Sequence, residues 1–169
     1  MARFEGPNHA RFLTYSCFNR LPLFADPLVR DLYVSEIAAQ SERLGFDVIA
    51  YVVMPEHVHL IVVPDVGRID RVMRGLKQGF ARRMLARMTE RDDPMLYELI
   101  GTTGKAVFWQ RGGGYERTIR SEDDLREKIG YIHANPVKRG LVGRPEDWGW
   151  SSARDYSGVS GVDRLGRVW

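Results

Sequence analysis

Two histidines stand at alternate positions in an otherwise apolar run, His57-Val58-His59-Leu60-Ile61-Val62-Val63. A strand repeats its side-chain direction every second residue, so both imidazoles leave one face with their Cα atoms roughly 7 Å apart. Two imidazoles at that separation can close on one divalent ion, and an added oxygen ligand shifts the preference toward Mg or Mn. The competing reading is a pair of half-buried histidines that each hydrogen-bond a neighbour, because an imidazole on an apolar strand needs partners. The strand by itself leaves both readings open.

Further along, Tyr131 and Asn135 lie four residues apart in a stretch that opens with Ser121-Glu122-Asp123-Asp124, a helix start with an acidic first turn. Helical geometry puts them within about 40° of each other and roughly 6 Å apart along the axis, on a shared face. His133 is about 200° round the wheel from Tyr131 and points away, which makes it a weaker ligand candidate. Pro136 disfavours helical geometry at Asn135, so the spacing predicts that the helix ends there. Taken alone, this pair also reads as a core tyrosine and a helix-terminating asparagine.

The chain has 169 residues and a net charge of +3, which is mild, but the charge is unevenly spread. Arg68, Arg71, Arg74, Lys77, Arg82, Arg83, Arg87 and Arg91 stand against only Asp70 and Glu90, a local +6 within one segment. A phosphate backbone attracts such a concentration, and a solvated helix face also explains it. Gln110, Arg111, Arg117 and Arg120 form a second polar group that can line a polyanion or simply edge a sheet. The single cysteine, Cys17, excludes an internal disulfide. With no export signal and no apolar run of membrane-spanning length, the expected setting is the reducing cytoplasm.

The elements that must position these residues follow from pattern. Arg11 to Arg20 reads as a strand covered on both faces. Asp26-Pro27 and Gly45 bracket a helix over about 27–44. Phe46 to Val53 is a strand, and Met54-Pro55-Glu56 is short enough to force an antiparallel hairpin with the His-bearing strand. Ile69, Val72, Met73, Leu76, Phe80 and Met84 mark an amphipathic helix whose opposite side carries Arg71, Arg74, Gln78 and Arg82. Glu90 to Gly104 reads as a surface loop. Val107 to Arg111 reads as a fourth strand, with Gly112 to Gly114 as a turn into a short return over Tyr115 to Arg120.

Strand, helix, strand, strand, helix, strand is the split βαβ order of an α+β, ferredoxin-like fold, a four-stranded antiparallel sheet with both helices on one face. The His-bearing strand then lies mid-sheet, and the additional C-terminal helix with Tyr131 can dock on the open face. Two imidazoles, an amide oxygen and a phenol can meet there, beside a basic surface. Residues 1–10 are expected as a flexible lead-in, 11–142 as the one folded domain and 143–169 as a tail packed on it through Trp148 and Trp150.

This layout resembles the HUH single-tyrosine transposases, and among them the REP-associated tyrosine transposase branch. The resemblance rests on Val53-Met54-Pro55-Glu56-His57-Val58-His59-Leu60, Phe108-Trp109-Gln110-Arg111, Tyr131 through Val142, and Trp150-Ser151-Ser152-Ala153. It implies a catalytic nucleophile at Tyr131, metal ligands at His57, His59 and Asn135, and Mg or Mn as the ion. Glu56 departs from the pattern, where asparagine is the more frequent residue. The activity implied is metal-dependent cleavage and strand transfer of single-stranded DNA through a 5′-phosphotyrosine, with REP-like palindromic hairpins as partners. Arg71, Arg74, Lys77, Arg82, Gln110, Arg111, Arg117 and Arg120 are the DNA-binding candidates. A monomer is favoured over a homodimer, and the alternative function is a non-catalytic nucleic-acid-binding module of the same fold.

Overall fold

In the computed structural model, which describes residues 9–65 and 68–158, the first helix begins where local chemistry demands it. Asp26 accepts the Leu28 N–H at 2.9 Å, Pro27 takes the first helical position, and Gly45 closes α1 (Pro27–Leu44) at φ 71°, a left-handed conformation suited to glycine. The hairpin of β2 (Asp47–Val53) and β3 (His57–Val63) follows. Its tight link is tied down by the Met54 N–H on the His57 carbonyl at 2.8 Å and the Cys17 N–H on the Glu56 carbonyl at 2.9 Å.

With β1 (Arg11–Cys17) and β4 (Trp109–Thr118), the strands form one antiparallel sheet in the order β2-β3-β1-β4, the ferredoxin-like arrangement. β3 is therefore interior and buried on both faces. Val58, Leu60 and Val62 face a core shared with α1 and α2 (Ile69–Glu90), whereas Ile61 belongs to a second core on the other side, and His57 and His59 share its face by alternation. In the first core Tyr15 and Tyr33 share a buried hydrogen bond at 2.5 Å, and Tyr33 donates to the Leu76 carbonyl at 3.2 Å. Gly75 lets α2 approach α1 closely, since a Cβ there would meet Leu44 Cδ1 at 2.7 Å.

The second face is covered by α4 (Glu122–Lys138), which packs mainly on β2 and β3 and sends Ile132 among Ala50, Val52, Met54 and Ile61. Trp148 closes that core, donating its indole N–H to the Val53 carbonyl at 3.0 Å. Trp150 donates to Asp31 at 2.8 Å, and the Arg30 guanidinium lies 3.9 Å over its ring. Past it, Val52 bridges to Ser151, and α5 (Ala153–Tyr156) ends the described chain. Among the described residues no helix is long and apolar enough to cross a membrane.

Several expectations are corrected. Gly112 to Gly114 do not turn the chain: β4 is one strand, and the extra residues are absorbed as an irregularity opposite Tyr15 to Cys17. Glycines tolerate the positive φ of 62° at Gly112 that such a bulge needs. α4 does not stop at Asn135 but runs through Pro136 to Lys138. Proline lacks its own donor, and the turn beyond it is held by the Arg139 N–H on the Asn135 carbonyl at 3.0 Å. The loop after residue 90 contains a short helix, α3 (Met95–Glu98). Ala10, assigned to the lead-in, is buried and accepts the Ile119 N–H at 2.9 Å, while residues 1–8 and 159–169 of the lead-in and tail lie outside the described residues.

Replacing Trp148 by alanine removes the lid of the second core and orphans the Val53 carbonyl. The expected loss is about 3 kcal/mol, read as a fall in melting temperature of roughly 10 °C in a thermal melt.

Candidate active site on the second sheet face

His57 and His59 leave β3 on the face that α4 covers, and the rest of the site is set by what registers against them. β1 pairs Thr14 with His59 and Ser16 with His57, so Thr14 Oγ1 comes to 2.7 Å from His59 Nδ1. Glu56 Oε1 lies 3.0 Å from His57 Nδ1. The two Nε2 atoms then face each other at 3.1 Å, and the Asn135 amide nitrogen is 3.3 Å from that of His59. Asn135 Oδ1, in the same spot, is buried without a hydrogen-bond partner.

The electrostatics favour neutral imidazoles. Burial pushes His59 down to about 3, helped by the proximity of His57, and burial likewise lowers His57 against the opposing pull of Glu56. Burial works against ionisation of Glu56 too, but Arg139 and His57 outweigh it and hold the carboxyl below its usual range. An ionised Glu56 accepts the His57 Nδ1–H, which leaves the Nε2 lone pair pointing at His59. Two inward Nε2 atoms, an orphaned amide oxygen and resistance to protonation make a donor set that fits a divalent cation. Among the described residues no three His, Cys, Asp or Glu side chains gather to hold a metal, so this set depends on the amide.

Tyr131 stands at the edge of this group, 41% exposed, its ring 5.3 Å from the His59 ring and 6.1 Å from that of Phe12. Phe12 in turn stacks on His59 at 5.7 Å. Lys138 Nζ lies 5.5 Å over the Tyr131 ring. Phe12, Thr14, His59, Tyr115, Arg117, Lys128 and Tyr131 enclose a cleft of ≈ 340 Å³. Aromatic walls with cations at the rim offer stacking surfaces and charge to a single nucleic-acid strand. His133 points away as the helical wheel predicts, sharing a hydrogen bond with Ser152 Oγ at 2.8 Å, and burial lowers it to about 4.

The profile of the family described as "Transposase IS200 like" matches residues 12–135, which include every residue of this cluster except Lys138 and Arg139. The chain belongs to the IS200-like transposase family. Among curated relatives, a Haemophilus influenzae protein named a REP-associated tyrosine transposase is 30% identical over 112 residues, covering 66% of this chain and 61% of that protein. The REP-associated tyrosine transposase of Escherichia coli is 31% identical over 161 residues, covering 93% of this chain and 85% of the relative. A solved REP-associated tyrosine transposase bound to a REP hairpin aligns with TM-score 0.63 at 22% identity, covering 100% of this chain and 90% of that one. At that identity the likeness concerns the fold.

The remaining candidates in this transposase-family chain are dispersed. Arg117 lines the cleft while paired with Asp124, and Arg120 is exposed at the start of α4, its N–H on Asp124 at 2.9 Å. Arg111 is exposed, but Gln110 is engaged, accepting the Asn19 N–H at 2.9 Å. Arg71, Arg74 and Arg82 line a groove of ≈ 480 Å³ with Arg43 and Arg83, between α1 and α2. That groove is behind the sheet, not beside the imidazoles as expected. Lys77 is turned inward from it, its Nζ 5.5 Å over the Tyr15 ring, and burial lowers its pKa. Helical spacing offered a signal for two residues that the sequence reading passed over, since Lys128 and Lys138 fall three before and seven after Tyr131. Thr14, Phe12 and Arg139 had none, because their roles come from register and docking.

Folded His133 and His59 take up protons only near about 4 and about 3, whereas unfolded histidines do so near 6.5. The unfolded chain therefore binds more protons in between, and stability falls as pH drops through about 6.5. Melts of metal-free protein should show a melting temperature that declines steadily from about pH 7.5 to about pH 5. A flat profile there contradicts neutral buried imidazoles.

Proposed function

We propose that this chain nicks and rejoins single-stranded DNA, with Tyr131 as the nucleophile and REP-like hairpin DNA as the substrate. The observation that carries the proposal is the exposed Tyr131 beside His59 in one cleft, with His59 also in the donor set that it forms with His57 and Asn135. The relative solved with a REP hairpin supports the choice of substrate.

In this reading the Tyr131 oxygen, having lost its proton, attacks the scissile phosphorus. The P–O3′ bond breaks, the 3′ oxygen leaves and takes up a proton, and the 5′ phosphate stays on the tyrosine with the bond energy kept for rejoining. His57, His59 and Asn135 would hold Mg or Mn, which would supply Lewis-acid stabilisation of charge on the phosphate oxygens. Lys138 lies over the Tyr131 ring at the reacting end, while Lys128 and Arg117 hold the phosphodiester in the cleft. Phe12 and Tyr115 offer faces for unstacked bases. One tyrosine holds one strand, which a monomer can do.

Of the DNA-binding candidates, Arg117 lines the cleft with Arg120 near it at the start of α4, Arg111 is exposed on β4, and Arg71, Arg74 and Arg82 belong to a separate phosphate-binding surface behind the sheet. Gln110 and Lys77 act through packing.

Incubating the protein with hairpin-bearing single-stranded DNA and Mn should give a covalent adduct on a denaturing gel. Tyr131→Phe should abolish the adduct and leave binding intact, and His59→Ala should reduce it by about 10²-fold or more while removing the Mn-induced rise in melting temperature. An adduct in Tyr131→Phe overturns the nucleophile. Binding that ignores chelator, with no cleavage in any divalent metal, favours the binding-module reading instead. Arg74→Ala with Arg82→Ala should weaken hairpin binding and lower the salt slope by about one unit per lost phosphate contact, without changing cleavage of a short strand that reaches only the cleft.

A further inference from the structure

Glu56, where the family pattern leads one to expect asparagine, sits in the β2–β3 link and is 6% exposed. One of its oxygens, Oε1, receives three donors: His57 Nδ1 at 3.0 Å, Arg20 at 3.1 Å and Arg139 at 2.6 Å. Arg139 is the residue that caps α4, one turn beyond Asn135 and two beyond Tyr131. Arg20 arrives from a backbone that is itself unusual. Asn19 and Arg20 adopt φ 49° and 53°, a left-handed pair that non-glycine residues disfavour and that persists only where the surroundings impose it. Here β4 and the residue before it hold it, through the Asn19 N–H on Gln110 Oε1 at 2.9 Å and the Phe18 N–H on the Phe108 carbonyl at 2.9 Å.

We infer that Glu56 is a positioning residue with two duties, orienting the His57 imidazole and pinning the end of the helix that carries Tyr131 and Asn135, with Arg20 and Arg139 as its clamps. The first duty follows from donor direction: a carboxylate that accepts Nδ1–H fixes the tautomer whose Nε2 lone pair faces His59. The second follows from connectivity. The start of α4 is tied to β4 by Asp124 on Arg117, and at its other end, where the packing on the sheet is apolar apart from Asn135 on His59, a charge-assisted bond from the C-cap residue to the link beside His57 sets the axial position. A neutral, shorter asparagine could not receive two guanidiniums and an imidazole on one oxygen. Because one atom serves all three donors, the ligand strand, the Asn19-Arg20 turn and α4 are held to a common point.

The inference rests on the proposed active site for its significance, but it is tested without DNA. Nitrogen-15 NMR of the histidine side chains in metal-free protein reads the tautomer, Mn titration reads affinity, and amide hydrogen exchange over residues 135–139 reads the pin. Wild-type His57 should carry its proton on Nδ1. Glu56→Ala should lose that preference, weaken Mn binding by about 10- to 100-fold and accelerate exchange at the end of α4. Arg139→Met should accelerate the same exchange while keeping the tautomer and the Mn affinity. Glu56→Gln, whose amide oxygen still accepts Nδ1–H in a side chain of the same shape, should keep the tautomer but exchange like Arg139→Met, and it serves if the alanine variant does not fold. A wild-type His57 protonated on Nε2 overturns the first duty. Unchanged exchange in both Arg139→Met and Glu56→Gln overturns the second. If both duties hold and Tyr131 forms no adduct, the nicking reading fails while this one stands.

Discussion

Between His57 and His59 two Nε2 atoms face each other at 3.1 Å in surroundings that resist protonation, and the rest of the second sheet face is arranged around that constraint. Two lone pairs that close repel unless one nitrogen keeps a proton or a cation stands between them. The outer nitrogens are each committed, to Glu56 and to Thr14, so the inner pair cannot turn elsewhere for relief. Asn135 adds an oxygen that has no partner of its own. Such unsatisfied polarity is costly in an otherwise apolar interior.

The sheet divides the labour of the molecule. Behind it, α1 and α2 bury a rigid aromatic core of Tyr15, Phe24, Tyr33, Phe80, Phe108 and Trp109, which makes the strands a stiff platform. In front, α4 meets β2 and β3 through a thinner layer, closed at one end by Trp148 and held at the other by Arg139 on Glu56. A site built half on a stiff strand and half on a helix end has its precision limited by how that helix is fastened. The charged contacts at the α4 terminus therefore matter more than their number suggests. The two basic regions fall on opposite sides of this platform, so one DNA molecule reaching both has to pass round an edge of the sheet.

Local chemistry made much of this legible in advance. Asp26, Pro27 and Gly45 bound α1 because capping and proline geometry are local, and the alternation of β3 put both imidazoles on one face because strand periodicity is local. The four-residue spacing of Tyr131 and Asn135 put them together for the same reason. The failures have a common cause as well. Three glycines are read as a turn because isolated chain favours one, but pairing with β1 draws them straight through as a bulge. Pro136 is read as a stop because it disfavours helix at Asn135, but capping beyond it and burial of Ile132 and Asn135 outweigh one lost donor.

The sequence by itself determined the order of elements, the faces on which the imidazoles, phenol and amide project, and the family resemblance those residues carry, since each depends on neighbours within a few positions. Only the tertiary structure decided that Thr14 backs His59, that Arg20 and Arg139 converge on Glu56, and that the arginine-rich side of α2 is turned away from the cleft. These depend on strand register and on which face of the sheet each helix covers, and such contacts join residues as much as 83 positions apart that no local spacing relates.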